Sequence, residues 1–473
     1  MSQAYDVIVL GGGTGGYTAA IRAAQLGKTV AIVEQDKLGG TCLHRGCIPS
    51  KTLLRSAEMF AAMKESEAFG ISVESAKLDF GKVQKRKAAI VEQLHSGVQY
   101  LMRKNKIDVY HGKGRLIGPS IFSPRSGTVS VELPDEEILN LVPQHLIIAT
   151  GSRPRKLPGL EADGTVVLTS DEALQLEELP KSILIVGGGV IGVEWASMLN
   201  DFGVEVTVAE YSSRLVPTED ADISRELERL LKKRGVRVLT NAKVLAETLV
   251  TSSEGAVLSV ETKQGLQELS VEKVLLSVGR EANIDSIALD NTDVRVENGY
   301  IRVNEHMQTA ENHIYAIGDC IGGLQLAHAA AHEGITAVEH LAGRQPHSYG
   351  AHQIPRCIYT RPEIASIGYT EQEALDKGFE IKTSKVQFKA LAKAMILGDS
   401  DGFVKVVADR KTNDILGVHM IGAHVTDYIS EAALAQLLNA TPWEVGRTIH
   451  AHPTLSEILG EAMLAVDGQA INL

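Results

Sequence analysis

Asp6-Val7-Ile8-Val9-Leu10-Gly11-Gly12-Gly13-Thr14-Gly15-Gly16 decides how this chain folds. The near-continuous apolar run reads as a buried strand, and the glycines as a turn into a helix from about Tyr17 to Leu26. A second strand, Thr29 to Val33, ends at Glu34. This is a βαβ unit. Gly11, Gly13 and Gly16 have the spacing that lets backbone approach a pyrophosphate at a helix N-terminus. Glu34 stands 18 residues beyond Gly16, where a carboxylate accepts from a ribose hydroxyl.

The pattern recurs. Ser182 to Val186 reads as a strand, Gly187, Gly189 and Gly192 repeat the spacing, and the strand Val206 to Ala209 ends at Glu210, again 18 residues on. One glycine fingerprint is weak, because glycine turns occur without a ligand. Strand, turn, helix, strand and acid met twice predict two dinucleotide sites. A carboxylate at Glu210 repels a 2′-phosphate and so favours NAD over NADP. Arg214 close by counts the other way, its plain reading being a surface charge on a loop.

The 473 residues suffice for about three domains. Hydrophobic residues make up 44% and the net charge is −12, so a large core is available and a phosphate backbone is repelled rather than bound. The short basic runs Lys85-Arg86-Lys87 and Lys232-Lys233-Arg234 lie on helical patterns and read as solvated faces. A strand starts almost at once, at Tyr5, without a secretory pattern before it. No apolar run approaches the ~20 residues needed to span a bilayer. The expectation is a soluble, cytoplasmic protein that binds neither membrane nor nucleic acid.

Outward from the two glycine turns, Lys51 to Met63 reads as a helix, and Asp79 caps a long helical pattern reaching Met102. Asp108 to Leu141 alternates and reads as antiparallel strands. Leu146 to Gly151 is a buried strand, and Pro154 and Pro158 mark a linker. Val274 to Arg280 closes the second nucleotide unit. Ile314 to Asp319 is a further strand, followed by a helix from His328 to Leu341. After Gly343 to Pro355, strands are expected at Lys382 to Phe388 and Phe403 to Asp409. Capping boxes are expected at Thr370/Glu373 and Thr441/Glu444. This last region has no phosphate turn and reads as an interface domain.

Two of the four cysteines, Cys42 and Cys47, stand with four residues between them. A regular helix cannot join their sulfurs. Five helical steps separate the Cα atoms by about 7.5 Å along the axis, beyond the usual reach of about 7 Å. A bridge needs a bent turn, which Gly46 permits. Three readings stand on these residues: unpaired core thiols, half a zinc site with His44 as a third ligand, or a redox-active disulfide. Against zinc, no second Cys or His cluster at ligand spacing accompanies the pair. The stretch His450-Ala451-His452-Pro453-Thr454-Leu455-Ser456-Glu457 is the other chemical candidate. Dithiol chemistry needs a base near neutral pH, which His supplies, and Glu457 can orient an imidazole. Thr454 and Glu457 are also at capping-box spacing, so the same residues read as a helix start flanked by interface histidines.

Together these stretches resemble the dihydrolipoamide dehydrogenase family, within the two-dinucleotide-domain disulfide oxidoreductases. The resemblance spans essentially the whole chain. It rests on the N-terminal fingerprint, Gly39-Gly40-Thr41-Cys42…Gly46-Cys47-Ile48-Pro49-Ser50-Lys51, Ala149-Thr150-Gly151, the second fingerprint, Gly318-Asp319, Tyr359-Thr360-x-Pro362-Glu363, and His452-Pro453-Thr454…Glu457. It implies an α/β fold with two Rossmann-like dinucleotide-binding domains plus a C-terminal α+β dimerisation domain. Residues 1–150 and 280–345 would bind FAD, 151–279 NAD, and 346–473 would form the dimer interface. FAD would meet Gly11, Gly13, Gly16, Glu34, Gly114, Gly151, Asp319 on its ribityl chain, and Ala327. Lys51 would lie by the flavin ring, paired with Glu194. NAD would touch Gly187, Gly188, Gly189, Val190, Ile191, Gly192, Glu194, Glu210, Val244 and Gly279. No metal is implied.

The resemblance also implies chemistry. Cys42 would be the interchange thiol and Cys47 would face the flavin. His452, held by Glu457 and supplied by the partner subunit of a homodimer, would be the base. The reaction would be oxidation of dihydrolipoamide with reduction of NAD, as the third component of a 2-oxo acid dehydrogenase complex with a lipoyl-bearing partner. A related glutathione or mercuric reductase is the alternative. Against it stand Glu210 and the thiol-free tail Gln469 to Leu473. Two residues depart from the family pattern: His44, where Asn is common, and Thr14, where Pro or Ala is usual. His44 lies between the cysteines, where it would shift their acidity, and neither residue is expected to touch a chemical role.

Overall fold

The computed structural model describes residues 2–119 and 125–472. The chain forms two compact units. The first comprises Met1–Thr52, Gly81–Arg155 and Gly279–Tyr349; the second comprises Leu53–Phe80, Lys156–Val278 and Gly350–Leu473.

In the first unit the opening stretch forms β1 (Ser2–Leu10), α1 (Thr14–Gln25) and β2 (Val30–Glu34), followed by α2 (Gly40–Arg45) and α3 (Cys47–Lys64), within which the units divide. Then come α4 (Phe80–Lys104), β3 (Asp108–His111), β4 (Lys113–Ile117), β5 (Thr128–Glu132) and β6 (Ile138–Ile148). The sheet order is β3-β2-β1-β6-β5-β4, with the strand Ile314–Ala316 alongside β6. Val7 and Val9 face one buried cluster with Ala19, Ala20 and Ala23 of α1, while Ile8 and Leu10 face another with Leu146 and Ile148. A strand covered on both faces has no place for polar residues, which explains the unbroken apolar run. Each such side chain contributes roughly 1.5–3 kcal/mol.

Some expectations change here. The segment Asp108 to Leu141 is not wholly antiparallel, because β3 runs parallel to β2 and extends the nucleotide sheet. β6 is one long strand: its first part pairs antiparallel with β5, and it runs parallel to β1 and to Ile314–Ala316. The alternation of the meander and the apolar run of the core strand are therefore two stretches of the same element. α1 starts at Thr14, before Tyr17, and α3 starts at Cys47, before Lys51. The strand at Ile314 ends at Ala316, and Gly318–Ile321 is a 3-10 turn. Lys87 is not solvated but 7% exposed within the first unit, with its charge disfavoured by burial.

The second unit contains a parallel sheet ordered Arg237–Leu239, Glu205–Ala209, Ser182–Val186, Lys273–Leu276, Val167–Thr169. A three-stranded antiparallel meander, Lys243–Ser252, Gly255–Thr262 and Gly265–Val271, precedes its fourth strand. Its last part is an antiparallel five-stranded sheet ordered Arg356–Ile358, Glu363–Gly368, Ile415–Gly422, Phe403–Asp409, Ile381–Gln387. Both capping boxes form, at Thr370/Glu373 and Thr441/Glu444. The basic run ending at Arg234 is not a solvated face throughout. Arg234 turns inward to pair with Asp201 at 2.6 Å and donates to Ser197. The helix Glu457–Ala465 shares one core with Val404, Val406, Val418 and Met420 through Ile458, Leu459, Ala462 and Met463. That anchoring fixes the residues just ahead of it, which include His452.

Candidate active site

The first glycine turn admits only glycine at two places. Gly11 has φ +109°, and a Cβ there would lie 2.2 Å from the Ala149 carbonyl oxygen. A Cβ on Gly16 would lie 1.9 Å from the Gly11 oxygen. By contrast, the nearest atom to a Cβ on Gly13 is 3.9 Å away. Gly13 is the N-cap of α1 without a side-chain cap, so the first N–H groups of the helix face that space. The second turn repeats this. Gly187 has φ +105° and would clash with the Ser277 oxygen at 2.5 Å, Gly192 would clash with the Gly187 oxygen at 2.0 Å, and Gly189 opens on space.

The two acids are wired alike. Glu34 Oε2 accepts the Gly12 N–H at 2.7 Å and Oε1 accepts the Asp36 N–H at 2.8 Å. Glu210 Oε2 accepts the Gly188 N–H at 2.5 Å and Oε1 accepts the Ser212 N–H at 2.6 Å. Backbone thus holds each carboxylate at the turn while leaving lone pairs for a ribose hydroxyl. Arg214 does not reach out as a 2′-phosphate ligand would, because it donates to the Pro217 and Glu219 carbonyls. Val190 and Ile191 open the helix Val190–Phe202, Glu194 on that helix accepts the Tyr359 N–H at 2.9 Å, and Val244 lies in the meander.

Around Asp319 the structure adds residues that spacing did not reveal. Ser152 donates to the Asp319 carboxylate, and Arg280 donates to the Ser152 hydroxyl at 2.7 Å while lying 4.0 Å from Asp319. Glu333 accepts the Gly318 N–H at 2.7 Å, and burial pushes its carboxyl above the ordinary range despite that bond. Ala327 opens the helix bearing Glu333. Gly151 has φ +70° and Gly279 φ +108°. A Cβ on Gly114 would meet Leu10 at 2.4 Å. These donors, acceptors and glycine cradles fit an FAD in the first unit and a second dinucleotide in the second.

The cysteines stand as a dithiol in which the Cys42 and Cys47 side chains are hydrogen-bonded. α2 ends at Gly46 and α3 begins at Cys47, so the sulfurs meet across a break in the helix, as the bent turn requires. A Cβ on Gly46 would lie 2.9 Å from the Thr41 oxygen. Cys47 at the head of α3, with Lys51 one turn on, occupies a place that favours negative charge. The bond with Cys47 raises the Cys42 thiol above its ordinary value, burial adds to that, and Thr14 and Lys51 pull it down. His44 lies on α2 between the two cysteines. Its ring reaches the Leu38 carbonyl at 2.9 Å, as does His95, and burial lowers its affinity for a proton. Among the described residues no group of three or more His, Cys, Asp or Glu is placed to hold a metal ion.

In the second unit His452 Nδ1 lies 2.8 Å from Glu457 Oε1, while Glu457 Oε2 accepts the Thr454 N–H at 2.8 Å. One carboxylate thus meets both the imidazole and the turn ahead of the helix, whose N-cap is Ser456 without a side-chain cap bond, so the Thr454/Glu457 capping box does not form. Burial works against its charge, but the Thr454 N–H and His452 hold it below the ordinary range. The two tail histidines differ: the His450 side chain is 9% exposed and paired with Glu431, whereas His452 is 70% exposed.

Two dinucleotide cradles and one dithiol in a single chain equip an enzyme that moves electrons between a pyridine nucleotide and a disulfide. Known families agree with this class. The pyridine nucleotide-disulphide oxidoreductase family matches residues 5–334, and the dimerisation domain of that family matches 354–463. A dihydrolipoyl dehydrogenase from Bacillus subtilis (strain 168) is 62% identical over 473 residues, covering all of both chains. One from Mycobacterium tuberculosis (strain ATCC 25618 / H37Rv) is 43% identical over 99% of each. The crystal structure of LpdA from Mycobacterium tuberculosis has a TM-score of 0.90 at 26% identity, covering 98% of this chain and 99% of that one. The chain belongs to the dihydrolipoyl dehydrogenase family of these oxidoreductases. It is an α/β flavoprotein oxidoreductase that uses FAD and NAD.

Proposed function

We propose that the chain acts as a homodimer oxidising protein-bound dihydrolipoamide to lipoamide while NAD is reduced, as the third component of a 2-oxo acid dehydrogenase complex. In this reading residues 1–150 and 280–345 hold FAD, 151–279 hold NAD, and 346–473 form the dimer interface. The observation that carries it is the thiol pair meeting across the break at Gly46, one sulfur at the head of a helix.

The base is His452, donated by a second copy. Glu457 at Nδ1 fixes the tautomer that leaves Nε2 to accept a proton, and steadies the imidazolium that results. The imidazole is 70% exposed on the single chain, as a group that serves another copy must be. Leu434, Leu437, Leu438, Trp443 and Ile449, just ahead of it, are also exposed, which suits an interface. In the oxidised enzyme the pair is a Cys42–Cys47 disulfide: one dihydrolipoyl thiol gives its proton to His452, its sulfur bonds to Cys42 Sγ, the Cys42–Cys47 bond breaks, and Cys47 leaves as thiolate. His452 releases the first proton to solvent and takes that of the second lipoyl thiol, whose sulfur closes the lipoyl disulfide as the bond to Cys42 breaks and Cys42 leaves as thiolate. FAD, which Gly11, Gly13, Gly16, Glu34 and Asp319 would hold, would supply the two-electron chemistry that links the dithiol to NAD. Lys51 would supply positive charge to the flavin, Asp319 would accept from ribityl hydroxyls, and Glu34 and Glu210 would accept from the ribose hydroxyls of FAD and NAD.

The partner is a lipoyl-bearing component, because the lipoyl group is common to every complex of this kind. The site of action is the cytoplasm, where a cycling dithiol is not locked oxidised. No helix among the described residues is long and apolar enough to cross a membrane. The test is anaerobic reduction by NADH followed by assay with lipoamide and with glutathione. Lipoamide turnover is expected; its absence from an enzyme with bound FAD overturns the reading.

A further inference from the structure

The helix that carries Cys42, α2, is six residues long and has no side-chain cap at Gly39. A helix that short does not hold in water on its own, so contacts outside it fix the place of Cys42. Leu43 shares a buried apolar cluster with Val98 and Met102 of α4, but such contact has no direction. The directional tie is a single carbonyl. His44 Nε2 from α2 and His95 Nδ1 from α4 each lie 2.9 Å from the Leu38 oxygen. The two rings meet edge to face with centroids 5.0 Å apart, and the Gln99 amide nitrogen lies 3.0 Å from His95 Nε2. Leu38 and His95 are both buried.

We propose that His44 is a positioning residue for the thiol exchange: through the Leu38 carbonyl that it shares with His95, it holds α2 so that Cys42 Sγ stays within bonding reach of Cys47. The inference rests on the proposed dihydrolipoamide reaction, in which the pair closes to a disulfide and reopens in every turnover. Residues 38 and 44 stand on either side of Cys42, so their bond closes that stretch into a loop with Cys42 inside it. His95 ties the same loop to α4. Closure of a disulfide depends on the effective concentration of one thiol at the other, and a loosened α2 lowers it.

The direction of donation follows from chemistry. A carbonyl only accepts, so both rings donate to it. His44 therefore carries its proton on Nε2 and His95 on Nδ1, with His95 Nε2 accepting from the Gln99 amide. This separates the role of His44 from that of an acid or base, because its Nε2 proton is engaged with Leu38. It also dictates which side chain can stand in for each ring. Glutamine brings an amide N–H near the place of Nε2, and asparagine near that of Nδ1. His44→Gln keeps the tie and His44→Leu removes it. For His95 the corresponding pair is His95→Asn and His95→Leu.

The test is the thiol–disulfide equilibrium of the flavin-bound enzyme in anaerobic glutathione buffers, quenched by alkylation and read by mass spectrometry. In it Cys42 and Cys47 give up two protons and an electron pair as their S–S bond forms. One glutathione disulfide takes both, and its S–S bond breaks to two glutathione thiols. His44→Leu is expected to lower the equilibrium constant for closing the pair about 3- to 10-fold, the worth of one neutral hydrogen bond. His44→Gln is expected to follow the unaltered protein. His95→Leu should lower the constant as well, and His95→Asn should restore it. A constant unmoved in either leucine variant, or lowered equally in His44→Gln, overturns the role. Thermal unfolding is run alongside: a lower unfolding temperature with an unmoved constant marks packing alone and also overturns it. The glutathione buffer needs no lipoamide. Failure of the unaltered enzyme to turn over lipoamide therefore counts against the proposed function, and an unmoved constant counts against His44.

Discussion

Replacing Glu457 by Gln tests the His452 assignment most sharply. The carboxylate makes two bonds of 2.8 Å, one to the Thr454 N–H and one to His452 Nδ1. The amide oxygen of glutamine can keep the first, so the turn into the helix Glu457–Ala465 survives. The amide nitrogen then faces Nδ1 as a donor. That inverts the tautomer, puts the ring proton on Nε2, and blocks the atom that must accept from substrate. The charge that steadies the imidazolium is also lost. A hydrogen bond to a charged group contributes about 1.5–3 kcal/mol, which is roughly 10- to 150-fold in rate. The exposure of His452 on a single chain argues for the lower end by solvent screening, and cover by a second copy for the higher. Lipoamide-dependent turnover should fall at least ~10-fold relative to NADH-to-dye transfer, which bypasses the thiols. Undiminished lipoamide turnover, or an equal fall in both reactions, would refute the reasoning.

Gly187→Ala places a Cβ 2.5 Å from the Ser277 oxygen at φ +105°, so NADH reduction of the flavin should be lost while FAD stays bound, as absorbance during NADH titration would show. Glu210→Ala removes the carboxylate held by Gly188 and Ser212 and should raise the NADH KM about 10-fold. It should confer no NADPH activity, because Arg214 is spent on the Pro217 and Glu219 carbonyls; efficient NADPH oxidation would contradict this. Lys405→Met strands Asp220, which is 2% exposed and bonded to Lys405 at 2.9 Å, and should cost about 3–5 kcal/mol in denaturant unfolding. Burial raises the Asp220 carboxyl, but Lys405 and its other partners hold it below the ordinary value. Its contribution is therefore present above the unfolded carboxylate value near 4 and lost as pH falls through the depressed one. The unaltered protein should lose stability over that acid window more steeply than the Lys405→Met protein.

The features legible along the chain are local ones. Glycine spacing, strand hydrophobicity and an acid 18 residues on are set within one βαβ unit, and the chain geometry of such a unit leaves few alternatives. Both cradles, both capping boxes and the need for a bend between Cys42 and Cys47 were legible for that reason. Folding in three dimensions set the features that depend on residues far apart in the chain. It joined the antiparallel and parallel stretches into β6, because one strand can pair differently along its two edges. It turned Arg234 and Lys87 inward, where periodicity had suggested solvent. It gathered Ser152, Arg280 and Glu333 around Gly318 and Asp319. It also laid the Gly11–Gly16 turn against Gly39 and Gly40, just ahead of Cys42. Side-chain bonds across such distances are fixed by packing, which spacing along the chain does not encode.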